Sequence, residues 1–265
     1  MILLAKKRLV LLAVMLALGA ALAALWLNSS DEPCYQGRKL SAWLTAHREN
    51  PDDARAIAAI RAIGTNAVPY LLQGFSYSYL PRREGLIKAA DIWIRHRLHL
   101  TTKLIRDPLA MRYERSVAGF KVLGPIANPA LPDLSKLLGS TNGAGAAIAM
   151  SGIGPPALPF LIEGVRDASP DVRYHGLIGV AQLGTNAGPA LPAVVGCFGD
   201  TNVSFGTVIR YTAILAATEM GAAAREAEPA LKGLLQDPDG SIVALAKQAL
   251  DRINSKNPET AAPKP

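Results

Sequence analysis

His96 and His99 are the two residues of this sequence best spaced for metal chemistry. Three apart, they would share one face of a helix. A metal site needs at least one more convergent ligand, and only Asp91 and His47 offer themselves, without supporting spacing. The glycine-rich stretch from Gly139 to Gly145 lacks the Lys-Ser/Thr pair of a phosphate-binding loop and follows no strand pattern. It reads instead as the turn and small-residue helix of a tightly packed unit. Ser151, within Ala149-Met-Ser-Gly-Ile, fails the nucleophile-elbow pattern at both glycines. Glu163, Asp167 and Asp171 fall near predicted helix ends, where carboxylates cap and favour the dipole. His175 stands where neighbouring copies carry small residues, so it is expected to pack or reach solvent. The sequence therefore assigns no catalytic residue, no metal ligand and no cofactor.

Recognition is better supported than reaction. Tyr and Arg are the types that most often anchor interfaces, and Tyr70, Tyr77, Tyr79, Arg82 and Arg95 gather at or near one irregular part of the chain. Residues 76–121 hold ten basic and four acidic side chains, an excess of six positive charges. Residues 122–253 hold eight basic and eleven acidic ones. A solvated helix face, or a positive face toward anionic lipid or polymer, is the plain explanation of such a run. A groove for an acidic partner is the sharper one.

The elements that position these residues recur. Ile63-Gly64 followed by Pro69, Leu123-Gly124 by Pro129 and Pro132, Ile153-Gly154 by Pro156 and Pro159, and Leu183-Gly184 by Pro189 and Pro192 are four copies of one phrase. Met220-Gly221 with Pro229 is a looser fifth. Each copy predicts a helix ending at a glycine cap, a short turn, and a second helix opened by proline. Ser169-Pro170-Asp171 and Asp237-Pro238-Asp239 supply start signals for the helices that follow. Two short helices per unit cannot bury their apolar faces alone, whereas stacked units can. The glycine spacing doubles between Gly64 and Gly124, which implies a divergent unit over about 76–110 with a long connection; there Leu86, Ile87, Ala90, Trp93 and Ile94 share one side of a helical pattern. Trp93 is expected to fill the core of that unit.

These Gly-Pro-x-x-x-Pro-Ala-Leu-Pro phrases and the helix start at residues 169–173 resemble HEAT-like repeats over roughly residues 51–253. The lead-in Tyr35-Gln-Gly37-Arg-Lys-Leu40-Ser-Ala-Trp43-Leu44 is similar to that of exported bacterial HEAT-repeat proteins with a single N-terminal anchor, most of them uncharacterised. The resemblance implies an all-α superhelical, armadillo-like solenoid whose function is protein binding. HEAT-like metal oxygenases carry repeated His-Glu pairs, and here the histidines are followed by Arg48, Arg97, Leu100 and Gly176. No residue matches the catalytic set of HEAT-like bilin lyases.

Residues 1–8 form a basic leader with Lys6, Lys7 and Arg8, and residues 9–27 are an uncharged run of 19 with eight Leu and two Val. As a helix this run would reach about 28 Å, close to the hydrocarbon thickness of a bilayer. The basic cluster predicts a cytoplasmic N-terminus and a repeat domain on the extracytoplasmic side. Ala21-Leu22-Ala23 offers a signal-peptidase pattern. A retained single-pass transmembrane anchor and a cleaved signal with an exported soluble body both remain open. Residues 28–50 read as a linker with a short amphipathic helix, and the polar, Pro-rich residues 254–265 as a disordered tail. Cys34 and Cys197 have nothing in the sequence to bring them together, so two free thiols are expected.

With 265 residues, half of them apolar, a net charge of +7 and only 6% aromatics, the chain is long enough for a sizeable core. The expected function is a membrane-anchored or exported scaffold that binds a protein partner through a curved helical surface, with the membrane engaged through residues 9–27. Nucleic acid is not expected as a partner, since export removes the body from genomic DNA. The alternatives are an enzyme on a HEAT-like scaffold, of lyase or nucleic-acid glycosylase type, and a charge-driven binder of the anionic envelope surface. The oligomeric state is not legible.

Overall fold

A computed structural model describes residues 32–76, 108–202 and 205–255. The predicted anchor at 9–27, most of the irregular unit at 76–110 and nearly all of the tail lie outside the described residues. No helix among the described residues is long and apolar enough to cross a membrane.

The linker is more ordered than its composition suggests. Cys34–Tyr35 (β1) and Arg38–Lys39 (β2) pair antiparallel. Gln36 and Gly37 between them both have positive φ, at 50° and 72°, as a two-residue primed turn requires. Helix α1 (Leu40–Glu49) follows at once and buries Leu40 and Leu44. Trp43 donates its indole N–H to the Tyr35 carbonyl, and the Arg38 guanidinium lies 4.4 Å from its ring. The hairpin and helix thus close the first end of the stack.

Among the described residues, five helix pairs and one closing helix follow. The long first helices are α2 (Ala54–Ile63), α4 (Pro108–Leu123), α6 (Gly143–Ile153), α8 (Pro170–Leu183) and α10 (Gly206–Met220). Their short partners are α3 (Val68–Gln73), α5 (Leu131–Lys136), α7 (Leu158–Val165), α9 (Leu191–Gly196) and α11 (Glu228–Gly233). Helix α12 (Gly240–Asn254) closes the array by packing on α10, with Lys247, Gln248 and Asp251 exposed on its free side. A polar outer face of that kind is what a terminal unit needs.

Each long helix from α2 to α10 ends at a positive-φ glycine: Gly64, Gly124, Gly154, Gly184 and Gly221. The ψ values at four of them, −139°, −154°, −129° and −128°, lie outside the left-handed helical region that the sequence suggests. They fall toward the part of backbone space that is essentially closed to side chains, including asparagine. Three residues beyond each glycine stands an alanine, at 67, 127, 157, 187 and 224, and all five are fully buried. This column of small residues lets successive turns lie against one another. In three units the turn is one 3-10 turn longer, Gly124–Ala130, Gly184–Ala190 and Gly221–Ala227, which adds a second buried alanine at 130, 190 and 227. The helix-opening prolines therefore fall at Pro69, Pro132, Pro159, Pro192 and Pro229, each the second residue of a short helix. Pro129 and Pro189 lie within the 3-10 segments instead.

One buried cluster runs from Leu40 in α1 to Ile253 in α12. The start signals are realised unevenly. Asp53 and Asp239 accept backbone N–H groups at their helix starts, whereas Ser169 makes no side-chain cap and instead donates its own N–H to Asp167.

A Cβ added at Gly221 would meet nothing within 4 Å, so substitution there probes the backbone alone. Gly221→Ala and Gly221→Asn are both expected to lower unfolding stability by about 1–3 kcal/mol. Chemical denaturation followed by far-UV circular dichroism measures this, and an asparagine variant as stable as wild type would contradict the backbone reading.

Candidate functional site

The later units are stapled by arginine. Arg173, in the first turn of α8, holds the Asp200 carboxylate at 2.8 Å and donates to the Asp167 and Ala168 carbonyls at the end of the preceding short helix. Arg210 of α10 repeats the arrangement, donating to the Phe198 carbonyl and pairing with Asp237. Each arginine thus ties the unit before it to the turn that closes its own unit. The shared spacing of 27 residues was the signal in the sequence that could have revealed these pairs. The Asp239 backbone N–H, and then the Arg210 guanidinium, hold the Asp237 carboxyl below its ordinary value.

The first seam is built differently. Along α1 the residues Ser41, Thr45 and Arg48 form one polar stripe. Tyr70 of α3 and Glu114 and Arg115 of α4 meet it, Arg112 joins Tyr70 to Gln73, and Ser116 lies against Gly74. Counted back from the capping glycine, the equivalents of Arg112, Arg115 and Ser116 in α10 are Ile209, Thr212 and Ala213, all buried. Here arginine occupies register positions that face the core in α10. Arg112 donates to the Gln73 side-chain carbonyl at 2.7 Å and lies 5.1 Å from the Tyr70 ring. Arg115 reaches the Met111 carbonyl at 3.1 Å and the Thr45 hydroxyl at 3.4 Å. Glu114 is 3.7 Å from Arg48 and largely exposed, and Glu32 accepts the Ser41 N–H. Neither Arg112 nor Arg115 has a carboxylate within ion-pairing distance among the described residues. Burial, and next the nearby Glu32, push the Tyr70 hydroxyl above its ordinary value, against the opposing pull of Arg112, the Ser41 hydrogen bond and Arg115.

Buried polar atoms without a hydrogen-bond partner concentrate at these two helices. Among the described residues they are His47 Nδ1 and Arg48 Nε on α1, and Arg112 Nε and Ser116 Oγ on α4.

A second feature lies between α4 and α6. Helix α6 is mostly glycine and alanine, and the Tyr113 hydroxyl lies across it, 1.7 Å from where a Gly145 Cβ would stand. Beside that contact opens a groove of about 280 Å³, walled by Val117, Ala118 and Ile148 with Glu114 and Lys121 at its rim. The groove continues an uncharged band along the long helices. Ile148, Ile178 and Leu215 occupy equivalent positions and are half-buried, as is Tyr174. Tyr211 and Val208 on α10 are 41% and 45% exposed.

Of the residues the sequence singles out for an interaction surface, Tyr70 is placed at the polar seam, half-buried beside Arg112. Tyr77, Tyr79, Arg82 and Arg95 lie outside the described residues, as do Asp91, Trp93, His96 and His99. His175 packs, with Nδ1 2.7 Å from the Leu138 carbonyl, and Ser151 donates to the Ile148 carbonyl within its own helix. Among the described residues no three His, Cys, Asp or Glu side chains gather as a metal site would require.

No family model matches the chain, and no curated protein matches it. Among solved structures, the designed armadillo repeat protein YIII(Dq.V1)4CPAF, in complex with the peptide (KR)4, is similar at 18% identity. The match covers 81% of this chain and 99% of that one, with a TM-score of 0.39.

Both thiols are free, Cys34 exposed and Cys197 buried. Burial, with Asp200 adding to it against Arg173, pushes the Cys197 thiol up to about 11, so it is protonated at neutral pH. A chromogenic disulfide reagent is expected to titrate one thiol in the native protein and both after denaturation. The lowered Asp237 carboxyl gives stability that is complete above its ordinary value of 3.8 and lost as pH falls through the lower folded value. Asp237→Asn is therefore expected to flatten the acid limb of the pH–stability curve.

Proposed function

We propose that this chain is a HEAT-like repeat scaffold of the cell envelope, held by one N-terminal membrane helix, that binds a protein partner along its long helices. The observation that carries the binding reading is the uncharged band of Ile148, Tyr174, Ile178, Tyr211 and Leu215 beside the groove at Val117 and Ala118. Interfaces gain most from aromatic anchors in a patch depleted of charge. The band crosses three consecutive long helices, so a partner would read several units at once. That is the use to which stacked repeats are suited.

The anchor rests on the sequence: a Lys6-Lys7-Arg8 cluster followed by 19 uncharged residues, long enough to span a bilayer. The repeat domain would then face outward, where the partner is sought.

A photoreactive residue at Tyr211, activated in native membranes, is expected to yield one dominant crosslinked protein. Val208→Asp is expected to abolish that adduct while changing unfolding stability by no more than about 0.5 kcal/mol, as for most surface substitutions. An adduct indifferent to Val208→Asp would reject the band as the interface. Recovery of the N-terminal peptide from the membrane fraction, with the repeat domain digested only by protease added outside, tests the anchor and its orientation.

A further inference from the structure

We infer that the seam between α1 and α4 is an oxyanion site whose occupant is a carboxylate of an acidic segment of the protein partner. The inference rests on the protein-binding reading above and names the chemistry that would select the partner.

Four observations converge on this seam. Arg112 and Arg115, three residues apart on α4, share one helix face at positions where α10 buries Ile209 and Thr212. Among the described residues their partners are neutral: an amide oxygen, a carbonyl, a hydroxyl and an aromatic ring. Two carboxylates of the described residues in this region have partners of their own, Glu32 the Ser41 N–H and Glu114 Arg48. Finally, the Nε atoms of Arg48 and Arg112 are buried donors with no acceptor.

A guanidinium taken from water needs both counter-charge and acceptors, or the desolvation cost stands uncompensated. In the later seams Asp200 and Asp237 supply both. At the first seam the described residues supply a hydroxyl, a backbone carbonyl and an amide, which orient the guanidinium forks without neutralising them. A carboxylate fits there in charge and shape, because its two oxygens match the fork bidentately. The Tyr70 hydroxyl stands by as a neutral donor, and burial keeps it protonated. The positive charges of Arg112 and Arg115 would draw an acidic segment toward this seam.

The test uses the full-length chain in detergent micelles and the fluorescence anisotropy of a labelled peptide of alternating Glu and Ser, with a Gln and Ser peptide as control. The acidic peptide is expected to bind and the neutral one not. Combining Arg112→Gln with Arg115→Gln is expected to weaken binding roughly tenfold or more, as loss of a desolvated charge pair does. Arg112→Lys with Arg115→Lys keeps the charge but not the fork, and is expected to give an intermediate loss at an unchanged melting temperature. Arg225→Gln with Lys232→Gln at the far end is expected to change affinity by less than about twofold. Equal losses from the seam and far-end variants would show diffuse charge and overturn the site. So would equal binding of the acidic and neutral peptides. Inorganic phosphate that fully protects the seam, with no binding of the acidic peptide, would make it a free-anion site and overturn the peptide assignment. If the seam variants leave peptide binding intact while the Tyr211 crosslink persists, the seam falls and the scaffold reading stands.

Discussion

Burial shared between sequence neighbours is the constraint on which this architecture depends. The second helices of the units are only six to eight residues long, too short to persist alone in water. They exist because Leu71, Leu134, Leu161, Val194 and Leu231 are each completely removed from solvent by adjacent elements. The turns make that sharing workable. A glycine in backbone space closed to side chains reverses the chain, and the alanine three residues later leaves no bulk to hold the next turn away. Register then passes from unit to unit, and the closing helix ends the process by turning a polar face outward.

The polar groups follow the same logic of neighbours, with one exception. At the later seams an arginine is neutralised by the aspartate that ends its own unit, and its remaining donors reach carbonyls of the unit before. Charge, hydrogen bonding and covalent order all coincide there. At the first seam arginines hold positions that belong to aliphatic residues in α10, and the unsatisfied buried donors collect beside them. A stack optimised only for stability would place apolar side chains at those positions. The departure is local, and it falls where the chain carries its positive charge.

Small residues also shape the outer surface. Helix α6 is thin because glycine and alanine dominate it, so Tyr113 can lie across Gly145 and a groove opens beside Ile148. The neighbouring long helices keep charge off the same band. Packing that stabilises the array therefore also leaves an uncharged surface spread over consecutive units.

The repeating Gly–Pro phrase made most of the fold legible: helix ends, proline-opened second helices and the stacked order all follow from local backbone preferences written in the sequence. The small-residue helix at Gly143 was readable for the same reason, whereas the sequence left His175 open between packing and solvent. The sequence also offered Tyr70, but as a surface residue, and it gave no hint that Arg112 and Arg115 would stand half-buried at register positions that α10 buries. The pairing of Arg173 with Asp200 and of Arg210 with Asp237 was present as a recurrent spacing and passed unnoticed among ordinary surface charges. What only the tertiary structure decided is which charges meet and which do not. Helix periodicity fixes the direction of a side chain relative to its own axis, whereas its neutralisation depends on a second helix and a turn brought alongside by packing.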